Sequence, residues 1–469
     1  MKSYLRPFML SLLCTLGQGI AVQAAPVQKS PPKISAKPSA SLESELKQWQ
    51  SAGRKADAAL TAKVREQVNA SPLHATYRPA LLSLYAAQQG GSYQDQELNA
   101  YRLLNLSPQN VDYRNTLARL LYAKHGGATP AQVKKAYGHL NDAFNAWDSG
   151  KTDQALNLFR KARLEKSPEL NAILAYHLRD AGKIAEAKQV IQNFKGDRGY
   201  LNWFADMERN IASAEQVINS RLPESEKLNA RLHLGQMDAI KTALKNLPES
   251  AKKHWLTAKF YEKQGQYHPA SQAYLDYYQA QEMDKLPEYT PVIYKAQLED
   301  VNSLDLIALK FRTSPDLIRQ VNHLDNQEWV ETYRMLIVPV KSHVLHFPTT
   351  GYVSSHFGYR LHPIRGTWRL HEGLDIETLP GVDAEAAYKG EVTLAAFDKA
   401  CGNMVKLNHE DLGIQTAYCH GEKLKVKKGQ AVSAGQAVIE TGNTGASASN
   451  HLHFGVQKNG VYTDPMDWL

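Results

Sequence analysis

The spacing of apolar residues changes along this chain of 469 residues, and the change divides the chain into regions of different structure. Between residues 44 and 282, apolar residues recur every three or four positions, which is the period of amphipathic helices. Between residues 344 and 469, short strand-like runs alternate with glycine-rich turns. We therefore expect a multidomain protein with an α-helical region first and an antiparallel β domain last.

Internal similarity within residues 44–282 indicates a repeat. Small and aromatic residues fall where a helix-turn-helix repeat of about 34 residues places its packing positions; these residues are Trp147, Gly150, Ala155, Phe159, Ala162 and Pro168. The region resembles a degenerate tetratricopeptide solenoid, and an irregular helical domain with coincidental spacing is the alternative. Such arrays bind protein partners or act as spacers, so we expect a possible protein partner and no catalytic residue here.

The N-terminus has the three parts of a secretory signal peptide. Lys2 and Arg6 precede an apolar stretch that ends at Ile20, and small residues then stand at the cleavage positions. The stretch is too short and too interrupted to span a bilayer, which requires about 20 apolar residues. We therefore predict that residues 1–24 direct export and are removed, with an uncleaved membrane anchor as the alternative. The expected location is the periplasm, with secretion or association with the cell wall as alternatives.

Composition adds a linker and excludes one class of partner. Residues 25–43 are rich in Pro, Ser, Ala and Lys, which predicts a flexible linker. The formal charge of +8 is spread along the chain. Because the sequence contains no run of about five basic residues, nucleic acid is not an expected partner.

Residues 291–340 differ from both neighbouring regions. Val292-Ile293-Tyr294 predicts a strand, two short helices follow, and Met335-Leu336-Ile337-Val338-Pro339 predicts a closing strand. This βααβ order, with Phe311 and Asn322 in place, resembles a LysM module, which implies binding of glycans that contain N-acetylglucosamine. The family's Gly-Asp-Thr-Leu segment is here Val301-Asn302-Ser303-Leu304. A glycan-binding role and a purely structural role therefore both stand.

The spacing of histidines in the last domain indicates a metal site. His451 and His453 are two residues apart, so on a strand both imidazoles face one side, about 7 Å apart. His371 and Asp375 would be about 13 Å apart on a straight strand, so the chain must bend between them, and Gly373 permits the bend. Imidazole and carboxylate are ligands of catalytic zinc, which takes three protein groups and keeps a position open.

Residues 354–467 resemble the lysostaphin/LytM-type zinc peptidases, which cut cell-wall peptides. The resemblance implies that His371, Asp375 and His453 hold one zinc ion. It also implies that His420 and His451 are catalytic, with His451 accepting the proton of the bound water and His420 donating to the developing oxyanion. The matching segments are Ser354-Ser355-His356-Phe357-Gly358-Tyr359-Arg360, His362-Pro363, His371-Glu372-Gly373-Leu374-Asp375, Thr416-Ala417-Tyr418-Cys419-His420, Gly442-Asn443-Thr444-Gly445 and His451-Leu452-His453-Phe454.

The function implied by this resemblance is a zinc endopeptidase that hydrolyses peptide cross-links of peptidoglycan through a metal-activated water. The alternative is a non-catalytic relative that activates a cell-wall amidase. Such activators typically lose zinc ligands, whereas all five side chains are present here. Peptidoglycan is the expected partner in both cases.

Other residues of the last domain receive structural interpretations. We expect His346, His356 and His409 at surface or strand positions rather than as ligands. His362 and Tyr418 either line the groove or simply pack. Asn450 stands where the family has Pro, and Val382-Asp383 stands where it has Thr-Pro, which predicts altered loops around the site.

Signal removal would leave Cys401 and Cys419 as the cysteines of the mature chain. An even pair in an exported protein favours a disulfide, because the compartment is oxidising. Two buried free thiols are the alternative. A disulfide here would fasten the predicted hairpin beside His420.

Overall fold

The computed structural model describes residues 40–53, 57–70, 100, 103, 125–126, 128–195, 202–281, 286, 288–297, 304–324, 335–361 and 368–469. The predicted signal peptide, the linker as far as residue 39, and His362 lie outside these residues. None of the helices in the described part of the chain combines the length and the apolar character that crossing a bilayer requires.

The first part of the chain is helical, as predicted. Its described elements are α1 (Ala40–Ser51), α2 (Ala58–Ala70), α3 (Pro130–Asp148), α4 (Thr152–Ala162), α5 (Pro168–Asp180), α6 (Ile184–Gln192), α7 (Asn202–Ile218), α8 (Glu224–His233), α9 (Met237–Asn246), α10 (Ala251–Lys263) and α11 (Tyr267–Ala280). Consecutive helices pack on each other, with α3 against α4, α5 against α6 and α10 against α11. The membership of this region in the tetratricopeptide class stays a prediction.

An aromatic core forms where α3, α4 and α5 meet. Trp147 and Phe159, both predicted packing residues, are 5% and 1% exposed. The ring centroid of His177 lies 4.7 Å from that of Trp147 and 4.1 Å from that of Phe159. Burial lowers the pKa of His177 to about 4, so the ring is neutral near pH 7 and packs as an aromatic residue.

A glycine brings the turns of two distant helix pairs together. Gly265 lies between α10 and α11 with φ +72°, and a Cβ atom there would be 2.6 Å from the carbonyl oxygen of Trp147. Glycine alone combines this backbone conformation with such a close approach. The helical region therefore folds back so that the start of α11 lies beside the end of α3.

The predicted βααβ order is present in the next segment. The segment consists of β1 (Tyr289–Lys295), α12 (Leu304–Phe311), α13 (Pro315–Asn322) and β2 (Met335–Lys341). The side-chain amide of Asn322 donates to the carbonyl oxygens of Ile318 and Ile337 and accepts from the backbone N–H of Ile337, which fastens the end of α13 to β2. Whether the segment binds glycans as a LysM module would stays a prediction.

The last part of the chain consists mainly of antiparallel strands, as predicted. They are β3 (Tyr352–Ser355), β4 (Gly358–Leu361), β5 (Trp368–His371), β6 (Leu374–Glu377), β7 (Asp383–Glu385), β8 (Gly390–Asp398), β9 (Gly402–His409), β10 (Ile414–Gly421), β11 (Lys423–Leu424), β12 (Ala431–Val432), β13 (Ala437–Glu440), β14 (His451–Lys458) and β15 (Val461–Thr463). The predicted hairpin of β9 and β10 is confirmed, and Gly413 supplies its left-handed turn residue with φ +63°.

The βααβ segment and the last domain share one sheet. The strand order of this 10-stranded sheet is β12-β8-β9-β10-β14-β6-β3-β1-β2, and β15 pairs with β14. Strand β1 joins β3 in parallel, with Ile293 opposite Tyr352. Smaller sheets are formed by β11-β13-β7 and by β4-β5. The catalytic domain predicted at residues 344–469 is therefore continuous with the segment before it.

The helical region covers one face of this sheet at the β1 and β3 end. Alternate residues of a strand face opposite sides of a sheet. On one side, residues of β1, β2 and β3 pack against the tyrosines of α11. The strand residues are Ile293, Met335, Ile337 and Tyr352, and the tyrosines are Tyr267, Tyr274, Tyr277 and Tyr278. The other set packs with α12 and the core of the last domain.

A cation fastens the helical region to β1. The ammonium nitrogen of Lys295 lies 3.1 Å from Oδ2 of Asp148 and 3.6 Å from the ring centroid of Tyr267. Asp148 ends α3 and Tyr267 begins α11, the two helix ends that Gly265 brings together. Burial raises the pKa of Asp148, and the charge of Lys295 acts against that rise.

Candidate metal centre

Three strands bring the predicted ligands together. His371 is the last residue of β5, Asp375 lies on β6 and His453 on β14. Asp375 and His453 are direct partners across the antiparallel pair of β6 and β14, so their side chains share one face. Two residues link the end of β5 to the start of β6, which supplies the predicted bend.

The ligand atoms converge on one point. His371 Nε2 lies 3.0 Å from Asp375 Oδ1 and 3.1 Å from His453 Nδ1, and His453 Nδ1 lies 2.8 Å from Asp375 Oδ1. In a tetrahedral site with bonds of about 2.0 Å, ligand atoms are about 3.3 Å apart. Two imidazole nitrogens and a carboxylate oxygen with this spacing fit a zinc ion.

The electrostatics of Asp375 favour a cation. Burial on its own would raise the pKa of Asp375, but the charge of His371 and hydrogen bonds from His371 and His453 hold that pKa well below its ordinary value. The carboxylate is therefore ionised at neutral pH. An ionised, buried carboxylate beside two imidazoles is a ready ligand for a divalent metal.

A backbone carbonyl group orients the first ligand. His371 Nδ1 donates to the carbonyl oxygen of His356 over 2.8 Å. A metal ion would displace the Nε2 proton that is directed to Asp375, and Nε2 would then give its lone pair to the metal. The His356 side chain is itself 3% exposed, and its Nε2 lies 2.8 Å from the carbonyl oxygen of Lys310 on α12. His356 directly follows β3 and is not one of the converging side chains, as expected, but it is buried and not on the surface because α12 covers this end of the strand.

The two predicted catalytic histidines lie beside the ligands. The ring centroids of His420 and His451 are 4.7 Å apart, and that of His420 is 6.0 Å from that of His453. His451 Nε2 lies 3.8 Å from Asp375 Oδ1. The structure thus gathers all five predicted site residues in one cluster beside β6, β10 and β14.

Hydrogen bonds fix the protonated nitrogen of each ring. His451 Nδ1 donates to the carbonyl oxygen of Ser449 over 3.0 Å, and His420 Nδ1 donates to that of Thr444 over 2.9 Å. In the neutral rings, Nε2 is therefore a hydrogen-bond acceptor. Burial, together with the neighbouring His451, lowers the pKa of His420 to about 4, so His420 is neutral near pH 7.

The predicted disulfide is present next to His420. Cys401, in the turn between β8 and β9, is bonded to Cys419 on β10. His420 has φ +67°, a conformation that few residues other than glycine adopt, and its backbone N–H donates to the carbonyl oxygen of Cys401 over 2.6 Å. The turn therefore holds His420 in an unusual backbone conformation, and the His420 ring lies beside the predicted ligand His453.

The remaining predictions divide. His346 is exposed and His409 ends strand β9, in agreement with the structural interpretation. Tyr418 is fully buried and accepts from the backbone N–H of Ala387 over 2.8 Å, so it packs instead of lining the groove. Asn450, at the family's Pro position, donates to Oγ1 of Thr378 over 2.9 Å and so joins the loop before β14 to the end of β6.

Sequence reasoning missed Glu377. It lies on β6 two residues after Asp375, and it is the direct partner of His451 on β14. The available signal was the strand period, because residues two apart on β6 share a face. The partner strand and its register were needed to see that Glu377 adjoins His451.

Comparison with known proteins finds similarity to a family of peptidases in the region that contains the converging side chains. Residues 369–465 match the family model described as Peptidase family M23. The DD-carboxypeptidase/endopeptidase Mpg of Neisseria meningitidis serogroup B is 36% identical over 114 residues, which is 24% of this chain and 26% of that protein. The Peptidoglycan DD-endopeptidase ShyC of Vibrio cholerae serotype O1 is 35% identical over 114 residues, with the same coverage of 24% and 26%.

The similarity covers a limited part of each protein. The chain spans about a quarter of the length of the curated relatives that it matches. Among solved structures, a putative peptidase M23 from Pseudomonas aeruginosa is 30% identical and matches 27% of this chain and 49% of that chain, with a TM-score of 0.23. The candidate metal site lies within the residues that match the M23 family model, and the activity of the whole protein is a proposal.

Proposed function

We propose that this protein is a zinc-dependent endopeptidase that hydrolyses peptide cross-links of bacterial peptidoglycan. The observation that carries the proposal is the convergence of His371, Asp375 and His453, with two further imidazoles on the same face. The relatives named as peptidoglycan or DD-endopeptidases support the substrate class.

The three converging side chains would hold the metal. A zinc ion in this position supplies Lewis acidity, which activates water at neutral pH and polarises a carbonyl group. Asp375 contributes the negative charge, and the His356 carbonyl group keeps the His371 ring oriented. With three protein donors, a bound zinc ion would have a further ligand position for water or substrate.

His451 is suited to act as the general base. Its Nδ1–H is held by the Ser449 carbonyl group, so the lone pair on Nε2 is directed toward the ligand cluster. From there the ring accepts a proton from the attacking water and then donates it to the leaving amine. A neutral imidazole is the form that this role requires.

His420 has a narrower role than the resemblance implies. With its Nδ1–H bound to the Thr444 carbonyl oxygen and its pKa near 4, the resting ring offers an acceptor at Nε2. A developing oxyanion requires a donor. His420 therefore orients the attacking water or a substrate N–H group in the resting protein, and it donates to an oxyanion only after it has taken up a proton.

The test uses purified full-length protein and purified peptidoglycan. We expect release of soluble muropeptides, loss of release after treatment with a chelator, and recovery when zinc is added. His451→Ala should abolish release while zinc content, measured by atomic emission, stays near one ion per chain. His346→Ala, which changes an exposed histidine, serves as the matched control.

The amidase-activator hypothesis makes the opposite prediction. If fragments appear only after a separate amidase is added, and His451→Ala behaves like the unmodified protein, the endopeptidase proposal is wrong. Mass spectrometry of the released fragments identifies the scissile bond in the first case.

We extend the proposal to location and to the other regions. Export to the periplasm is supported by the disulfide between Cys401 and Cys419, because structural disulfides form in oxidising compartments. For the LysM-like segment, residues 291–340, we propose glycan binding, and for the helical region a protein partner. Retention on immobilised chitin oligomers and pull-down with the full-length protein test these two proposals.

A further inference from the structure

A short segment after β3 pairs with both of the strands that carry the predicted ligands His371 and Asp375. Strand β3 ends at Ser355, which is the direct partner of Asp375 on β6. Strand β4 begins at Gly358, which is the direct partner of His371 on β5. The two residues between these partners form the turn from β3 to β4. The position of this turn is therefore tied to the relative position of the two ligands.

The turn is also bonded directly to one ligand. His371 Nδ1 donates to the carbonyl oxygen of His356, the first residue of the turn, and the hydroxyl oxygen of Ser355 lies 3.4 Å from the same nitrogen. Outer partners of a metal-binding imidazole fix the orientation of its ring. The carbonyl group of His356 can do this only if the turn itself is held in place.

The His356 side chain holds the turn against α12. Its Nε2 lies 2.8 Å from the carbonyl oxygen of Lys310, in the last turn of α12, and its Nδ1 lies 2.9 Å from the carbonyl oxygen of Phe357. The ring packs edge to face on Phe311, the last residue of α12, with the ring centroids 5.5 Å apart. One buried imidazole thus bridges the helix and the turn.

The end of α12 is a fixed point for this contact. The last carbonyl groups of a helix have no partner within the helix. The Lys310 carbonyl oxygen, which lies beside His356, also accepts from the guanidinium group of Arg312 over 3.3 Å. Arg312 is held in turn by Asp464 and Asp467 of the last domain. The carbonyl group that meets His356 is therefore anchored by the last domain as well as by its own helix.

We propose that His356 is a positioning residue of the metal centre, through which α12 of the βααβ segment holds His371 in the orientation that binds zinc. The proposal rests on the proposed function, because it concerns the metal that this function requires. Its two links are the contact of the His356 ring with α12 and the contact of the His356 carbonyl group with the ligand. The βααβ segment thereby has a role in the metal centre that is separate from glycan binding.

Two substitutions of His356, made in the full-length protein, test the contact with α12. The amide nitrogen of Gln can take the place of Nε2, whereas the shorter Asn side chain does not reach the Lys310 carbonyl oxygen. We expect His356→Asn to weaken zinc binding about tenfold, as loss of an outer partner of a ligand does. His356→Gln should keep the affinity of the unmodified protein. Competition with a chelating dye measures the zinc affinity.

His409→Asn is the matched control, because His409 is a buried histidine with similar contacts. It is 1% exposed, and its ring nitrogens lie 2.8 Å from the carbonyl oxygen of Lys389 and 2.8 Å from Oγ1 of Thr416. It ends β9, which carries none of the predicted ligands. We expect His409→Asn to lower the melting temperature, as His356→Asn does, and to leave the zinc affinity unchanged.

Three results would overturn the proposal: equal zinc affinities of His356→Asn and the unmodified protein, an equal loss in His356→Gln, or an equal loss in His409→Asn. If His356→Asn does not fold, Phe311→Leu decides, because it loosens the packing of α12 on His356 and changes none of the converging side chains. Unchanged zinc affinity of Phe311→Leu would then reject the positioning role, and weakened affinity would support it.

Zinc binding is measured without substrate, so it separates this proposal from the proposed function. If peptidoglycan is not hydrolysed but zinc binds and His356→Asn binds it more weakly, the endopeptidase function fails and the positioning role stands. If peptidoglycan is hydrolysed and all of these proteins bind zinc equally, the function stands and the positioning role fails. If the unmodified protein binds no zinc, both are wrong.

Discussion

Burial lowers the pKa of two histidines of this protein, His177 and His420, and the neutral rings have different roles. Burial lowers the pKa of both His177 and His420 to about 4. In the helical region, neutral His177 fills a space between Trp147 and Phe159. In the β domain, neutral His420 presents a lone pair beside the ligands. A buried imidazole is thus a packing residue in one place and a chemical group in the other.

The low pKa of His177 predicts that stability depends on pH. In the unfolded chain this ring has the ordinary pKa of 6.5, whereas in the folded chain its pKa is about 4, so the folded protein binds the proton only near pH 4. Stability is therefore full above pH 6.5 and falls as the pH is lowered toward 4. Between pH 7 and pH 5 the expected loss from this group is about 2 kcal/mol in the free energy of unfolding.

Urea unfolding at the two pH values measures this loss. His177→Phe keeps an aromatic ring without a titrating group, so its stability should fall by about 2 kcal/mol less than that of the unmodified protein between pH 7 and pH 5. His139→Phe, on α3 of the same region, is the control and should keep the full pH dependence. Parallel curves for all three proteins would contradict the assignment.

Residue identity was enough to predict which side chains converge but gave only part of the reason for Gly373. The sequence indicated a bend that glycine permits. In the structure, a Cβ atom at Gly373 would lie 2.5 Å from the carbonyl oxygen of Phe454 and 2.7 Å from Nε2 of His453. Glycine is therefore required by the approach of a neighbouring strand, and the distance between strands is not a property that local sequence reveals.

At the scale of single elements, the turn before β9 is the part that positions His420. The Asp398 side chain accepts from the backbone N–H groups of Ala400 and Cys401 over 2.7 Å and 2.8 Å. The disulfide to Cys419 and the hydrogen bond from the His420 backbone then tie the turn to β10. The disulfide was predictable from the cysteine count, whereas the strained backbone of His420 was not, because it depends on this turn.

Removal of the disulfide should therefore lower the catalytic activity without lowering the zinc content of the protein. For the double variant Cys401→Ser with Cys419→Ser, we expect zinc content to be unchanged, because neither cysteine is a ligand. We expect kcat to fall about tenfold as His420 relaxes from its strained conformation, within the range that mispositioning costs. Loss of the cross-link, with a sequence separation of 18 residues, should cost about 3 kcal/mol of stability.

The assay is peptidoglycan release with zinc determined on the same samples. Ser433→Ala, a change in a turn between β12 and β13, is carried as the control. Full kcat in the cysteine variant at a temperature well below its melting point would show that the turn holds His420 without the disulfide.

At the scale of the whole molecule, a buried arginine joins the βααβ segment to the end of the chain. The guanidinium group of Arg312 lies 3.0 Å from Asp464 and 2.8 Å from Asp467. Arg312 and Asp464 are 4% and 6% exposed. Burial of the arginine is offset by the two carboxylates, which raise the pKa of Arg312. This contact and the shared sheet make the described residues between 289 and 469 one packed unit.

Breaking this contact should destabilise both parts together. Arg312→Met leaves buried Asp464 and partly buried Asp467 without their cation, which costs about 3–5 kcal/mol. Arg160→Met is the control, because Arg160 and its partner Glu186 are 41% and 45% exposed and such pairs contribute about 1 kcal/mol or less. Scanning calorimetry should show one unfolding transition, at a lower temperature, that includes both the βααβ segment and the last domain. A separate transition of residues 289–341 at a lower temperature would contradict the shared unit.

The sequence indicated the order of these regions but not their connection. The change from helical to strand spacing and the βααβ order could be predicted because both are local patterns. The pairing of β1 with β3 joins Ile293 to Tyr352, which are far apart along the chain. Nothing in the two apolar runs specifies that they are neighbours, and for the same reason the helical region's position beside Glu377 could not be foreseen.

The parallel pairing of β1 with β3 has a consequence for synthesis of the chain. Strands β1 and β2 are made first and can pair with each other, but the other edge of β1 has no partner until β3 has been made. An open edge of apolar residues is a template for strands of other chains. A ribosome that stalls after residue 341 thus yields a product prone to aggregation, and a holdase that covers β1 during this interval would protect the nascent chain.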